Sequence, residues 1–123
     1  MNYSWVEEYA LAKLGSEKEY KESWDATLYK VGGKFFVLSH KMHESEVISV
    51  KLEPERGEFL RDWYEDIFPG YHLNKTHWNS IRLNGNVPND IVKEMIDESY
   101  RLVFKGLTRK IKDELFRENT DSR

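Results

Sequence analysis

Apolar residues along this chain change their spacing several times, and each change marks an element. Trp5, Tyr9 and Ala12, flanked by Val6 and Ala10, recur at helical spacing. Ser4-Trp5-Val6-Glu7 has the form of a capping box, so a first helix is predicted to start at Ser4 and to stop at Gly15. Ser16 to Glu22 reads as a charged connector. Thr27 to Val31 and Lys34 to Ser39 are β-rich runs on either side of Gly32-Gly33, the signature of a hairpin. Glu46 to Leu52 alternates with period two, Ile48, Val50 and Leu52 against Val47, Ser49 and Lys51, as a strand with one buried face requires. His40 to Ser45 is then a polar loop.

Pro54 suits the first turn of a second helix, whose apolar stripe is Phe59, Leu60, Trp63 and Ile67 and whose end is Phe68-Pro69-Gly70. Trp78 to Leu83 is predicted as a strand closed by Asn84-Gly85, with Tyr71 starting its partner. Pro88 opens the longest helix, with Ile91, Met95, Ile96, Ser99, Leu102 and Val103 along one face and Gly106 as its stop. Leu107, Ile111 and Leu115 continue in a short helix capped by Thr108, whose polar end from Arg117 to Arg123 is prone to fray. The order α-β-β-β-α-β-β-α predicts an α+β fold, an antiparallel sheet with helices packed on one side. With 123 residues, no repeat and no linker, 1–123 reads as one domain.

Composition removes several classes of chemistry. The chain has no cysteine, which excludes thiol nucleophiles and thiolate metal sites. Its start has neither a basic nor an apolar signal region, and no run approaches the ~20 apolar residues of a membrane span. No membrane partner and cytoplasmic residence are therefore expected. A net charge of −3 provides no global field for nucleic acid, so any polyanion site is local. Glu44 to Asp66 holds eight acids against three bases, whereas Arg101 to Lys112 holds five bases and no acid.

The densest polar stretch is Pro69-Gly70-Tyr71-His72-Leu73-Asn74-Lys75-Thr76-His77-Trp78-Asn79-Ser80-Ile81-Arg82-Leu83-Asn84-Gly85, which contains no carboxylate. If Ile81 and Leu83 face the core, alternation turns Trp78, Ser80 and Arg82 to the other face, an aromatic and a guanidinium suited to a base and a phosphate. Each residue also has a structural reading. Burial tendencies favour Trp78 as an anchor beneath the following helix, Asn74 and Asn79 suit Asx turns, and His72 and His77 suit loop hydrogen bonds. His40-x2-His43 and His72-x4-His77 fit no recognised ligand frame, so no metal is expected. No P-loop, Gly-x-Gly-x-x-Gly or Gly-x-Ser-x-Gly motif is present, so neither a cofactor nor a catalytic residue is expected.

Lys30-Val31-Gly32-Gly33-Lys34, Ile48-Ser49-Val50-Lys51, Pro69-Gly70-Tyr71-His72-Leu73-Asn74-Lys75, His77-Trp78-Asn79, Arg82-Leu83-Asn84-Gly85 and Ile96-Asp97-Glu98-Ser99-Tyr100 together resemble the MmcQ/YjbR family of small bacterial proteins, nearly end to end. The resemblance implies a fold of the type shared with secretion chaperones, and DNA binding through a double wing in which two hairpins flank a helix. Carried onto this chain, the contacts are Lys34, His72, Asn74, Lys75, His77, Trp78, Asn79 and Arg82. The expectation is a non-catalytic DNA-binding protein. Its alternative, drawn from the implied fold relatives and the acidic Glu44 to Asp66 region, is a protein-interaction or chaperone-like adaptor.

Overall fold

The computed structural model describes residues 4–42, 45–70 and 73–121. Helix α1 (Val6–Leu11) leads into β1 (Ser16–Lys21), a 3₁₀ turn (Glu22–Trp24), β2 (Ala26–Val31), β3 (Lys34–Met42) and β4 (Ser45–Lys51). Helix α2 (Pro54–Trp63), β5 (Ile67–Pro69), β6 (Trp78–Arg82), α3 (Asn89–Lys105) and α4 (Arg109–Asp121) follow. The strands form one sheet in the order β1-β2-β3-β4-β6-β5, every neighbouring pair antiparallel. The fold is α+β with its helices on one face, as the sequence pattern predicts, with one strand more than expected and with β6 paired to Ile67–Pro69, ahead of the expected start at Tyr71, which lies outside the described residues.

That extra strand is Ser16–Lys21, read above as a connector. Its residues are charged because it is an edge strand, where Lys and Glu discourage pairing with another chain. Glu19 reaches diagonally to Lys30 on β2 at 2.8 Å, and Lys18 bonds Glu7 of α1. The expected loop at His40 to Ser45 is also corrected. β3 runs on through His40 and Lys41 to Met42, paired with Ser45 to Val47, while His43 lies outside the described residues. Helix α1, expected from Ser4 to Gly15, runs from Val6 to Leu11. Trp5 occupies its N-cap, packed on the core and edge-on to Tyr9 at 5.7 Å, and this packing sets the helix entry.

Gly32 and Gly33 both have positive φ, +59° and +85°, the conformation a two-residue hairpin demands. A Cβ on Gly32 would sit 2.6 Å from Leu107 Cδ1, so this turn is where the start of α4 docks on the sheet. In the β2–β3 ladder Tyr29 faces Val37 and Lys30 faces Phe35, which leaves Phe36 as an extra, bulged residue. Phe36 and Val37 are consequently both buried in the main core with Tyr29, Ile48, Val50, Ile81, Met95 and Ile96. The carbonyl of Phe36 accepts a hydrogen bond from Ser99 Oγ of α3 at 2.6 Å.

The helix stripe of α2 is also corrected. Leu60 and Gly57 are its buried residues, Ile67 has left the helix to begin β5, and Phe59 and Trp63 stand 56% and 70% exposed. Gly57 is the cause. A Cβ there would lie 2.8 Å from Asn79 Nδ2, so the helix lies against β6 along its glycine and turns the two aromatics outward.

Tyr9 Oη donates to Asp97 Oδ1 at 2.7 Å, joining α1 to α3. Partial burial, then the bond to Asp97 and its negative charge, push the phenol up to about 12 from its usual 10. A raised phenol pKa stabilises the fold while the group is protonated, and that contribution is lost as pH climbs from 10 towards 12. A tyrosine absorbance titration should show a step near 12 that Tyr9→Phe removes.

Candidate nucleic-acid interface

Away from the helices the sheet presents its second face. Register places Leu28, Leu38, Ser49 and Ser80 in one row across it, with Lys30 beside Phe35 and Lys51 beside Trp78. Ala26, Leu28 and Leu38 form a small second cluster on this face, against which Phe35 and Leu73 pack. β4 is therefore buried on both faces from Val47 to Val50, where alternation alone predicted one. Ser49 and Ser80 satisfy each other at 2.7 Å, and His40 Nε2 lies 3.2 Å from Ser49 Oγ. Ser49 is 1% exposed, so its hydroxyl is shielded from solvent, whereas His40 is only partly buried.

Trp78 belongs to this open face, not to the underside of the following helix. Its ring lies 5.0 Å from Phe35, which in turn meets Trp24 edge-on at 6.4 Å. The three rings line a concavity of about 460 Å³ together with Lys21, Lys30, Lys34 and Lys51, and its lining reaches Leu102, Val103 and Gly106 at the end of α3, with Glu19 the one acid among its described residues. Lys21 Nζ rests 3.7 Å above the Trp24 ring. A second hollow of about 420 Å³ shares Trp24 and continues over Ala26, Leu38 and Leu73 to His40 and Lys41. Such a surface offers ring faces for stacking and ammonium groups for anions.

The residues expected from sequence divide into groups. Lys34 and Trp78 line the concavity. Asn74, Lys75 and His77 lie on the segment that crosses the face beside Leu73, where Asn74 Oδ1 accepts the Thr76 N–H at 2.9 Å in an Asx turn and the His77 carbonyl accepts the Leu52 N–H at 2.7 Å. Arg82 lies four residues up β6 from Trp78, ~13 Å at strand rise, with its guanidinium 3.7 Å from Asp66 Oδ1 and 4.6 Å above the Phe68 ring. Asn79 is on the helix side, 0% exposed, its Oδ1 accepting from Arg61 Nη1. His72 lies outside the described residues.

Lys21, Trp24, Lys30, Phe35 and Lys51 were not expected at the site. Period-two charge alternation in Ser16–Lys21 is the signal for Lys21, and pairing β4 with β6 would have set Lys51 beside Trp78. Among the described residues no cluster of three or more His, Asp or Glu is placed to hold a metal, and no helix is long and apolar enough to cross a membrane.

Comparison with known proteins agrees with this architecture. Residues 11–102 match the YjbR family model, and 101 residues are 34% identical to the uncharacterized protein YjbR of Escherichia coli K12, covering 82% of this chain and 86% of that one. The chain belongs to the YjbR family. A second relative, the uncharacterized protein YbdF of Escherichia coli O157:H7, is 32% identical over 83 residues, 68% of each chain. Among solved structures of this fold, the crystal structure of Deinococcus radiodurans protein DR2400, with a DUF419 domain, superposes with a TM-score of 0.82 at 32% identity over 93% of this chain and 87% of its own. A Pseudomonas syringae protein superposes with a TM-score of 0.71 at 26% identity over 84% of this chain and 99% of its own. These names carry no activity, so YjbR membership establishes the fold and leaves function to the site.

Proposed function

We propose that this YjbR-family chain is a non-catalytic, cytoplasmic DNA-binding protein that uses the open face of its sheet. The observation that carries the reading is the run of three contacting rings, Trp24, Phe35 and Trp78, rimmed by Lys21, Lys30, Lys34 and Lys51. Bases stack on the rings and the backbone follows the lysines. In double-wing terms, the Gly32-Gly33 hairpin is one wing, and β6 with Asn74, Lys75 and His77 is the other. Asn79 and Arg82 support the wing rather than touch DNA, because one is buried against Arg61 and the other is neutralised by Asp66. The non-catalytic part of the reading rests on Ser49, whose hydroxyl is shielded from solvent although His40 adjoins it.

Lys30 is already paired with Glu19, which leaves about three cations for phosphates and a salt slope of roughly −2 to −3. Fluorescence anisotropy with labelled single-stranded and duplex DNA should show affinity falling about thirtyfold between about 50 and about 200 mM salt. Lys34→Ala/Lys51→Ala should reduce the slope by about 2, and Trp24→Ala, at a half-exposed ring, should weaken binding about tenfold. Lys75→Ala/Arg82→Ala should have the smaller effect. Absence of binding at low salt, or binding indifferent to Lys34→Ala/Lys51→Ala, would overturn the proposal.

A further inference from the structure

Phe59 and Trp63 stack on the outer face of α2 with ring centroids 6.2 Å apart and planes 11° from parallel. At 56% and 70% exposure they are large apolar side chains left in water, one turn apart on a helix whose inward face, Gly57 and Leu60, is already filled. Two aromatics in register on a helix surface are the usual anchors of a protein contact. Their surroundings set the partner's chemistry. Glu55, Glu58, Asp62 and Glu65 are exposed about them, none has an ion pair to a described residue, and the neighbouring Arg56 is held by Glu94 at 3.3 Å.

From this we infer that the outer face of α2 is a docking site for a basic segment of another protein, one whose Lys or Arg residues flank an apolar or aromatic side chain. The apolar side chain covers Phe59 and Trp63, and the bases meet the four carboxylates. Nucleic acid is repelled by the same charges. A second copy of this chain could offer only a different surface, its basic α3–α4 side or its lysine-rimmed sheet face, and neither head-to-tail contact closes into a symmetric pair. This inference stands apart from the DNA reading, since the lysine-rimmed rings and the α2 aromatics are separate sets of residues.

The test is selection of a random dodecapeptide phage library on the wild-type protein, counter-selected on Phe59→Ala/Trp63→Ala, followed by anisotropy titration of the enriched peptide. Both substituted side chains are exposed, so the variant should keep its urea midpoint, and its DNA affinity should stay within about twofold. Enriched peptides should carry Lys or Arg beside Leu, Phe or Trp, bind about tenfold more weakly to the variant, and weaken as salt rises. Glu55→Lys/Glu58→Lys/Asp62→Lys should reverse the charge preference. No enrichment, enrichment of acidic or uncharged peptides, or equal binding to the variant would overturn the inference. Concentration-dependent self-association in sedimentation, abolished by Phe59→Ala/Trp63→Ala, would overturn it in favour of a second copy.

Discussion

Ser99→Ala should cost this fold about 2–4 kcal/mol, a large share of the roughly 5–15 kcal/mol that holds a domain together. Ser99 is 0% exposed in the middle of α3, and its hydroxyl serves two strands at once. It donates to the carbonyl of Phe36 at 2.6 Å and accepts the N–H of Lys51 at 2.8 Å. The first of these groups is free because the β-bulge leaves Phe36 without an opposite residue. The second lies at the last residue of β4. Alanine removes one oxygen and leaves both backbone groups unpaired in the core, each at a cost of about 1–3 kcal/mol. Urea unfolding should show a lower midpoint at unchanged m-value, and thermal unfolding a fall of about 10 °C for a chain of this size. A loss below about 0.5 kcal/mol would mean that other groups or water take over both bonds, and that α3 is held by its apolar face alone.

Asn79→Ala separates scaffold from contact. Asn79 stands within the motif that suggests DNA binding, yet its amide is wholly enclosed between β6 and α2. Oδ1 accepts from Arg61 Nη1 and Nδ2 donates to the His77 carbonyl at 3.2 Å. Losing both bonds, one of them to a half-buried guanidinium, should cost about 2–3 kcal/mol. The seat of Gly57 against this side chain should loosen as well. DNA affinity, measured well below the melting temperature, should change less than about twofold. The double variant Asn79→Ala/Arg61→Ala should be less destabilised than the sum of the single changes, because the guanidinium left unpaired by the first is gone. A tenfold loss of DNA affinity with unaltered stability would return Asn79 to the contact surface.

Local pattern was a sound guide wherever an element's own residues determine its state. The Gly32-Gly33 hairpin, the start of α3 at Pro88 and the Thr108 cap, whose Oγ1 accepts the Ile111 N–H at 3.2 Å, were all legible because backbone freedom and short-range hydrogen bonds decide them, and α3 stops at Gly106 as expected although that glycine keeps a right-handed φ of −79°. Ser16–Lys21 was not, since an edge strand takes its conformation from the neighbour it pairs with and not from apolar side chains. The outward turn of Phe59 and Trp63 was equally hidden. It follows from a glycine meeting an asparagine more than twenty residues away in sequence, an encounter that helical periodicity does not register.

The candidate site divides along the same line. From sequence alone came the α+β class, the family resemblance, and the alternation that puts Trp78 and Arg82 opposite Ile81, because period two is a property of any single strand. Tertiary structure decided which cations join Trp78. Lys21, Lys30, Lys34 and Lys51 come from four different strand segments and share one concavity only because β1 to β4 and β6 lie side by side. It also placed Asn79 on the helix side, buried against Arg61, and set Arg82 beside Asp66 on the open face. A strand's residues dictate which of its side chains share a face, but what that face meets depends on partners far away in the chain, and those are chosen only when the sheet assembles.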